Sequence, residues 1–355
     1  MSTYIESLKS EVKEYYKILS SDFPKWLEDY IEVPEMLRLD GISMASGTDY
    51  PKMYNYKSFN SVLQHSIGVA LIVWNFTHDR KQTLAGLYHD IASPSFKHCI
   101  DFLNGDSEKQ ESIEEGTEEI IKNSSKIMSL LKRDGIEIKE ISDYHIYPIA
   151  DNDTPRLSAD RFEYTFSNAF FLYDVWDLAR IKYFYDNIII LKNEDGLDEL
   201  SFGNVDVCKE YLEETLPIFS YYHSDENTVT MQYISDIIKS MHVKGYLSIN
   251  DLYKLSEKEV LDKILTCDDN YIKEALINWQ NATYILKSET YISDKYCTNV
   301  KGKTRYIVPL VSYNGGAYRI TEVLEECREK VTEYLNAEHS TYKGFDFSFK
   351  PYKYE

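Results

Sequence analysis

The chain has 355 residues, 43% of them hydrophobic, and a formal net charge of −20 with histidine counted neutral. That length supports a sizeable core in one or two domains, and so acidic a surface argues against nucleic acid as the main partner. IGVALIVW is too short to span a bilayer, no signal-peptide core opens the chain, and five scattered cysteines lack any Cys-x-x-Cys pattern; the expectation is a cytoplasmic protein with reduced thiols and no cysteine metal site.

Taken in order, the first part, to about Tyr30, has Ile5, Leu8, Val12, Tyr15, Tyr16 and Leu19 near helical period. MLRLDGISMASGTDYPKMYNY is broken by Gly41, Gly47 and Pro51 and reads as loop. Ser58 to about Phe76 is apolar nearly all round, as a buried helix is. The next helix runs from Lys81 to Ala92, offset by Pro94, and a short helix follows from Pro94 to Phe102. Asn104-Gly105-Asp106 is a turn, and Ser107 with Gln110 makes a capping box for a long helix to about Lys132.

Asp151 to Pro155 is a polar loop, after which Ser158 caps a helix from Ala159. NIIILKN and LDELSF around Glu194-Asp195-Gly196 predict a β-hairpin within Asn187 to Phe202. Helices resume, with breaks near Gly245 and at Ser248-Ile249-Asn250. After about Ser288, TRYIVPLVSY, Gly315-Gly316 and AYRIT predict a second small β element, then a helix from Glu322 to Asn336 and the acidic-aromatic tail KGFDFSFKPYKYE.

Four residues in QHSIGVAL, LYHDIASPSFKH and LSADRFEY carry the chemistry: His65, the adjacent His89 and Asp90, and Asp160. Two imidazoles and two carboxylates from separate helices form a ligand set for one divalent cation, such as Mn²⁺, Fe²⁺, Co²⁺, Ni²⁺, Zn²⁺ or Mg²⁺. His89 and Asp90 would point about 100° apart on a regular helix, so both reach one ion only if it sits over a helix end. Such an ion polarises a phosphate and activates water. Asp160, Tyr164 and Asn168 share a helix face, as do His98 and Asp101.

The order His … His-Asp … Asp resembles the HD-domain phosphohydrolases. HSIGVALI, LAGLYHDIASPSFKHCIDF and ADRFEYTF are similar to the branch containing the deoxynucleoside triphosphate triphosphohydrolases, from about Met36 to Asn168. The resemblance implies a mainly α fold: an HD-domain helical bundle with a β-hairpin insertion and a small α+β C-terminal element. The segments expected are 1–35 (N-terminal helices), 36–287 (HD core) and 288–355. By resemblance, His65, His89, Asp90 and Asp160 hold the ion, Tyr164 meets the substrate sugar and Asn168 stands where an aspartate is usual. Arg161 approaches the phosphates or, alternatively, is merely exposed. His98 and Asp101 serve as acid or base or, alternatively, only close their helix.

This chain departs from that branch at three places. Val62 replaces an arginine, Ser93 a histidine, and Gln110-Glu111 a His-Glu pair. Asp101, His98 and Glu111 are then the remaining catalytic candidates, and Lys303 and Arg305 resemble a basic segment used for nucleotide or subunit contacts. The expectation is a metal-dependent phosphohydrolase acting on a nucleotide (a deoxynucleoside triphosphate included) or a related phosphorylated small molecule. The alternative is a catalytically weakened nucleotide-binding or regulatory HD-domain protein. A homo-oligomer follows from resemblance alone, and no membrane partner is expected.

Overall fold

The structure is a computed structural model that describes residues 3–108 and 116–353. It is mainly α, with two small sheets. Among the described residues no helix is long and apolar enough to cross a membrane.

The opening segment is not one helix. It forms Tyr4–Ser7, Ser10–Leu19 and Leu27–Ile31, because Leu8 and Ser20 turn extended. Val12, Tyr15, Tyr16 and Leu19 pack into the main core, so 1–35 is part of the body. Ser61 caps the helix Val62–Thr77 by accepting from the Gln64 N–H, which starts it later than the apolar run suggested. Its residues from Ile67 to Val73 are all fully buried or nearly so.

The following helix, Arg80–Tyr88, ends earlier than expected: His89 is its C-cap and Asp90 lies in a turn. No helix begins at Pro94. Phe96 and Lys97 are left-handed (φ 64 and 41), and helix resumes only at Cys99–Leu103. Of the long helix expected to Lys132, the described residues from Gly116 on form two helices, Thr117–Asn123 and Ser125–Asp134, since Ser124 is extended and caps the second. Gln110 and Glu111 lie outside the described residues. Ser158 accepts from the Arg161 N–H and opens Ala159–Ser167, which runs on into a π-turn over Asn168–Leu172.

The predicted hairpin is present as β1 (Ile188–Lys192) and β2 (Asp198–Phe202). Two short strands follow, β3 (Leu286–Ser288) and β4 (Tyr296–Thr298). The second β element is β5 (Leu310–Tyr313) and β6 (Gly316–Arg319), turned at Asn314-Gly315, both with positive φ. The two hairpins form one sheet of order β1-β2-β5-β6, with Phe202 opposite Val311 in a parallel pairing. The C-terminal segment thus adds two strands to a sheet begun by β1 and β2. The tail contributes β7 (Tyr342–Phe345), the centre strand of β3-β7-β4. In place of the one helix expected from Glu322 to Asn336, Ile320–Val323 is followed by Glu325–Leu335.

Two apolar cores result. One joins the N-terminal helices, the helices bearing His65 and Asp160, and the segment Ile307 to Tyr334. The other gathers Phe96 to Phe102, the helix Asp225–Val243, the helices Glu257–Thr266 and Asn270–Gln280, and Phe345 and Phe349.

Candidate metal centre

Side chains from both sides line a cavity of about 130 Å³, room for on the order of ten waters. His65, His89, Asp90 and Asp160 form one wall. His65 Nε2 lies 3.1 Å from His89 Nε2, 3.0 Å from Asp160 Oδ1 and 3.8 Å from Asp90 Oδ2. His89 Nε2 is 3.6 Å from Asp160 Oδ1 and 3.5 Å from Asp90 Oδ2. Ligands about 2.0–2.2 Å from one ion stand about 3–4 Å apart, which is the spacing found. The early end of Arg80–Tyr88 makes this possible, because Asp90 leaves the helical path and turns back beside His89.

Both imidazoles are oriented from behind. His65 Nδ1 faces the Glu163 carboxylate, and His89 Nδ1 donates to the Gly86 carbonyl at 2.7 Å. With both Nδ1 atoms used, the two Nε2 lone pairs and an Asp160 oxygen converge on one point, and the Asp90 carboxylate stands beside the imidazoles. That set needs a cation between its members, a proton or a metal. Without a metal the proton answers. Burial alone would lower the His65 pKa, but Glu163 and Asp160 outweigh it and hold it at about 9. Conversely, burial would raise Asp160, yet the two imidazoles hold it well below the usual carboxylate range. The donor chemistry and spacing fit a single divalent ion.

Glu163 was not foreseen. It is fully buried, accepts from Tyr15 at 3.0 Å and from Ser167 at 3.1 Å, and lies against Gly68, where a Cβ would stand 2.5 Å from Oε1. Its signal was a carboxylate between Phe162 and Tyr164, three residues after Asp160 on one helix.

The remaining candidates divide. His98 lines the cavity, with Nδ1 3.0 Å from Asp101 Oδ2 and Nε2 3.3 Å from the Arg305 guanidinium. Burial, aided by Arg305, pushes its pKa down to about 4 against the opposing pull of Asp101, so the ring is neutral. Its Nδ1–H donates to Asp101, and Nε2 accepts. Asp101 itself is fully buried and off the cavity wall, so it acts only through His98. Tyr164 and Asn168 line the cavity. Asn168 Nδ2 donates to the Tyr222 hydroxyl at 2.9 Å, while its buried Oδ1 accepts from no group among the described residues.

Arg161 departs from expectation. Its guanidinium turns back into the preceding loop, 2.6 Å from Asn152 Oδ1 and 3.3 Å from Asp151 Oδ1, and it does not line the cavity. The basic groups that do are Lys97, Lys303 and Arg305. Ser93 donates to Asp90 Oδ1 at 3.0 Å, bracing that carboxylate where the resembled enzymes carry a histidine.

No family model matches the chain. It is 24% identical to the uncharacterised protein YdhJ of Bacillus subtilis (strain 168) over 306 residues, 85% of this chain and 89% of that one. In three dimensions it is similar to a hypothetical protein from Aquifex aeolicus, with TM-score 0.61, 15% identity and 91% of each chain covered. It is also similar to a phosphohydrolase from Bacteroides thetaiotaomicron, with TM-score 0.61, 14% identity, 91% of this chain and 96% of that one. The chain therefore shares its fold with these two proteins, and that fold is mainly α here.

Proposed function

We propose that the protein is an HD-type, metal-dependent phosphohydrolase whose substrate is a nucleotide or a related phosphorylated small molecule. One observation carries this reading: His65, His89 and Asp160 gather at ligand spacing, with Asp90 beside the imidazoles, in a cavity that also presents Lys97, Lys303, Arg305 and His98. A divalent ion bound there supplies a polarised phosphate and an acidified water.

The chain's own groups do the rest. Lys303 and Arg305 offset phosphate charge within a protein of net charge −20. Neutral His98, held by Asp101 at Nδ1, accepts from Arg305 through Nε2 and so orients that guanidinium at the cavity. Tyr164 and Asn168 border the space for the rest of the substrate, with Asn168 Oδ1 ready to accept from a hydroxyl or amine.

The test is a nucleotide and phosphomonoester panel with Mn²⁺, Co²⁺, Ni²⁺ or Mg²⁺, against a chelator control. Phosphate and triphosphate release are both followed. Metal-dependent release that vanishes in Asp160→Ala supports the reading, and full turnover without metal sinks it. A second reading, a nucleotide-binding or regulatory protein of weak activity, is favoured by Ser93, whose hydroxyl braces Asp90 and brings no proton-transfer group. Nucleotide binding seen as a thermal shift, with no product, would select it.

A further inference from the structure

We infer that Lys97 is a phosphate clasp resting on the metal ligand Asp90, so that metal and phosphate bind this cavity cooperatively; this depends on the metal-site reading above. The Lys97 side chain is 7% exposed, and its Nζ sits 2.6 Å from Asp90 Oδ2. That is the oxygen facing both imidazole Nε2 atoms. Among the described residues Asp90 is the one ionic partner of that ammonium. The other partner of Lys97 Nζ is the Met44 thioether at 3.6 Å, a weak acceptor. For its three donors the ammonium thus has one carboxylate and one weak acceptor among the described residues, and it lines a cavity that also presents Lys303 and Arg305.

The backbone delivers it there. Phe96 and Lys97 are consecutive left-handed residues, a conformation rarely adopted outside glycine. The Phe96 N–H is held by Glu257 and the Lys97 N–H by the Pro94 carbonyl. A surface helix turn would have cost less; the turn that is present swings a lysine inward.

Charge completes the argument. Two aspartates already balance a divalent ion, so an incoming phosphate needs further cations. Val62 provides none where the resembled enzymes place an arginine. When an ion takes Asp90 Oδ2, the Lys97 ammonium is repelled from that oxygen, and a phosphate is the acceptor within the cavity that relieves it. The two ligands then favour each other by linkage.

The experiment measures Mn²⁺ affinity of the full chain against a competing chelator, with and without inorganic phosphate, in wild type, Lys97→Met and Lys97→Gln, with Lys97→Arg keeping the charge. In wild type, phosphate should tighten Mn²⁺ by about tenfold or more. Lys97→Met should bind Mn²⁺ alone more tightly than wild type, and its gain from phosphate should shrink at least about threefold. Lys97→Gln should behave alike if the methionine variant does not fold, and Lys97→Arg should keep the gain. Phosphate without effect on wild type, or an equal gain in the neutral variants, overturns the clasp alone. A wild-type protein that binds no Mn²⁺ overturns the metal-site reading itself.

Discussion

Glu163 accepts from His65 Nδ1 while Tyr15 and Ser167 donate to the same carboxylate, and Gly68 supplies the space it occupies. A carboxylate behind a ligand imidazole fixes its tautomer and raises its basicity. Glu163→Gln keeps the shape and removes the charge, so metal affinity should fall by about 10–100-fold. Equilibrium dialysis with Mn²⁺ reads this directly, and unchanged affinity would show that the contact does not tune His65. Gly68→Ala should weaken metal binding too and cost about 1–3 kcal/mol of stability by overpacking, visible in a urea midpoint. The four candidate ligands were legible through their order along the chain, since a histidine in an apolar helix or an aspartate in a first turn says little alone. Glu163 was less so: an acid at i+3 on a helix is commonplace, and only the packing of Tyr15 and His65 around it shows its task. Arg161 misled for the matching reason, since nothing in ADRFEY reveals that Asp151 and Asn152 claim its guanidinium.

The element that decides the site is the turn from His89 to His98, and hydrophobic period could not draw it. Apolar residues continue past Tyr88, so the pattern extends a helix that the backbone ends. What holds the turn is remote: the Glu257 carboxylate accepts from the Ser43 N–H at 3.1 Å, the Phe96 N–H at 3.2 Å and the Tyr50 hydroxyl at 2.8 Å. Burial, helped by Asp49, lifts the Glu257 pKa from 4.5 to about 8. Below the lower value both folded and unfolded chains hold the proton. Between the two only the folded chain does, so stability falls as pH rises, by on the order of 4–5 kcal/mol in all; above about 8 the loss is complete. Glu257→Gln keeps an acceptor for both N–H groups and cannot ionise. Its urea midpoint, relative to wild type, should rise steadily from pH 5 to pH 8. Parallel profiles for the two proteins would mean that Glu257 ionises in the folded chain as it does in water.

At the scale of the whole molecule, the cavity lies where two apolar cores meet, and both hairpins fasten that arrangement. Sequence patterning found each hairpin but not their pairing, because a parallel register between Phe202 and Val311 leaves no local mark. The knot is Arg319. It bonds both oxygens of fully buried Glu199, at 2.6 and 2.8 Å, and also Glu194 and the Val308 carbonyl. Glu199 in turn accepts from the Leu157 N–H, in the loop that sets down Asp160. A buried ion pair adds little against a well-packed apolar pair, but breaking it strands a charge at about 3–5 kcal/mol. Arg319→Met should therefore destabilise the protein by about that much and loosen Mn²⁺ binding, although Arg319 is no metal ligand. Glu199→Met in the same chain removes the stranded charge, so the double variant should regain most of the stability. It should not regain the metal affinity, because replacing Glu199 takes away the acceptor of the Leu157 N–H. Denaturation and Mn²⁺ titration of wild type, both single variants and the double variant close the cycle. Additive losses would refute the ion pair as the link between sheet and site; recovery of stability without recovery of metal binding would place that link at Glu199 and the turn before Asp160.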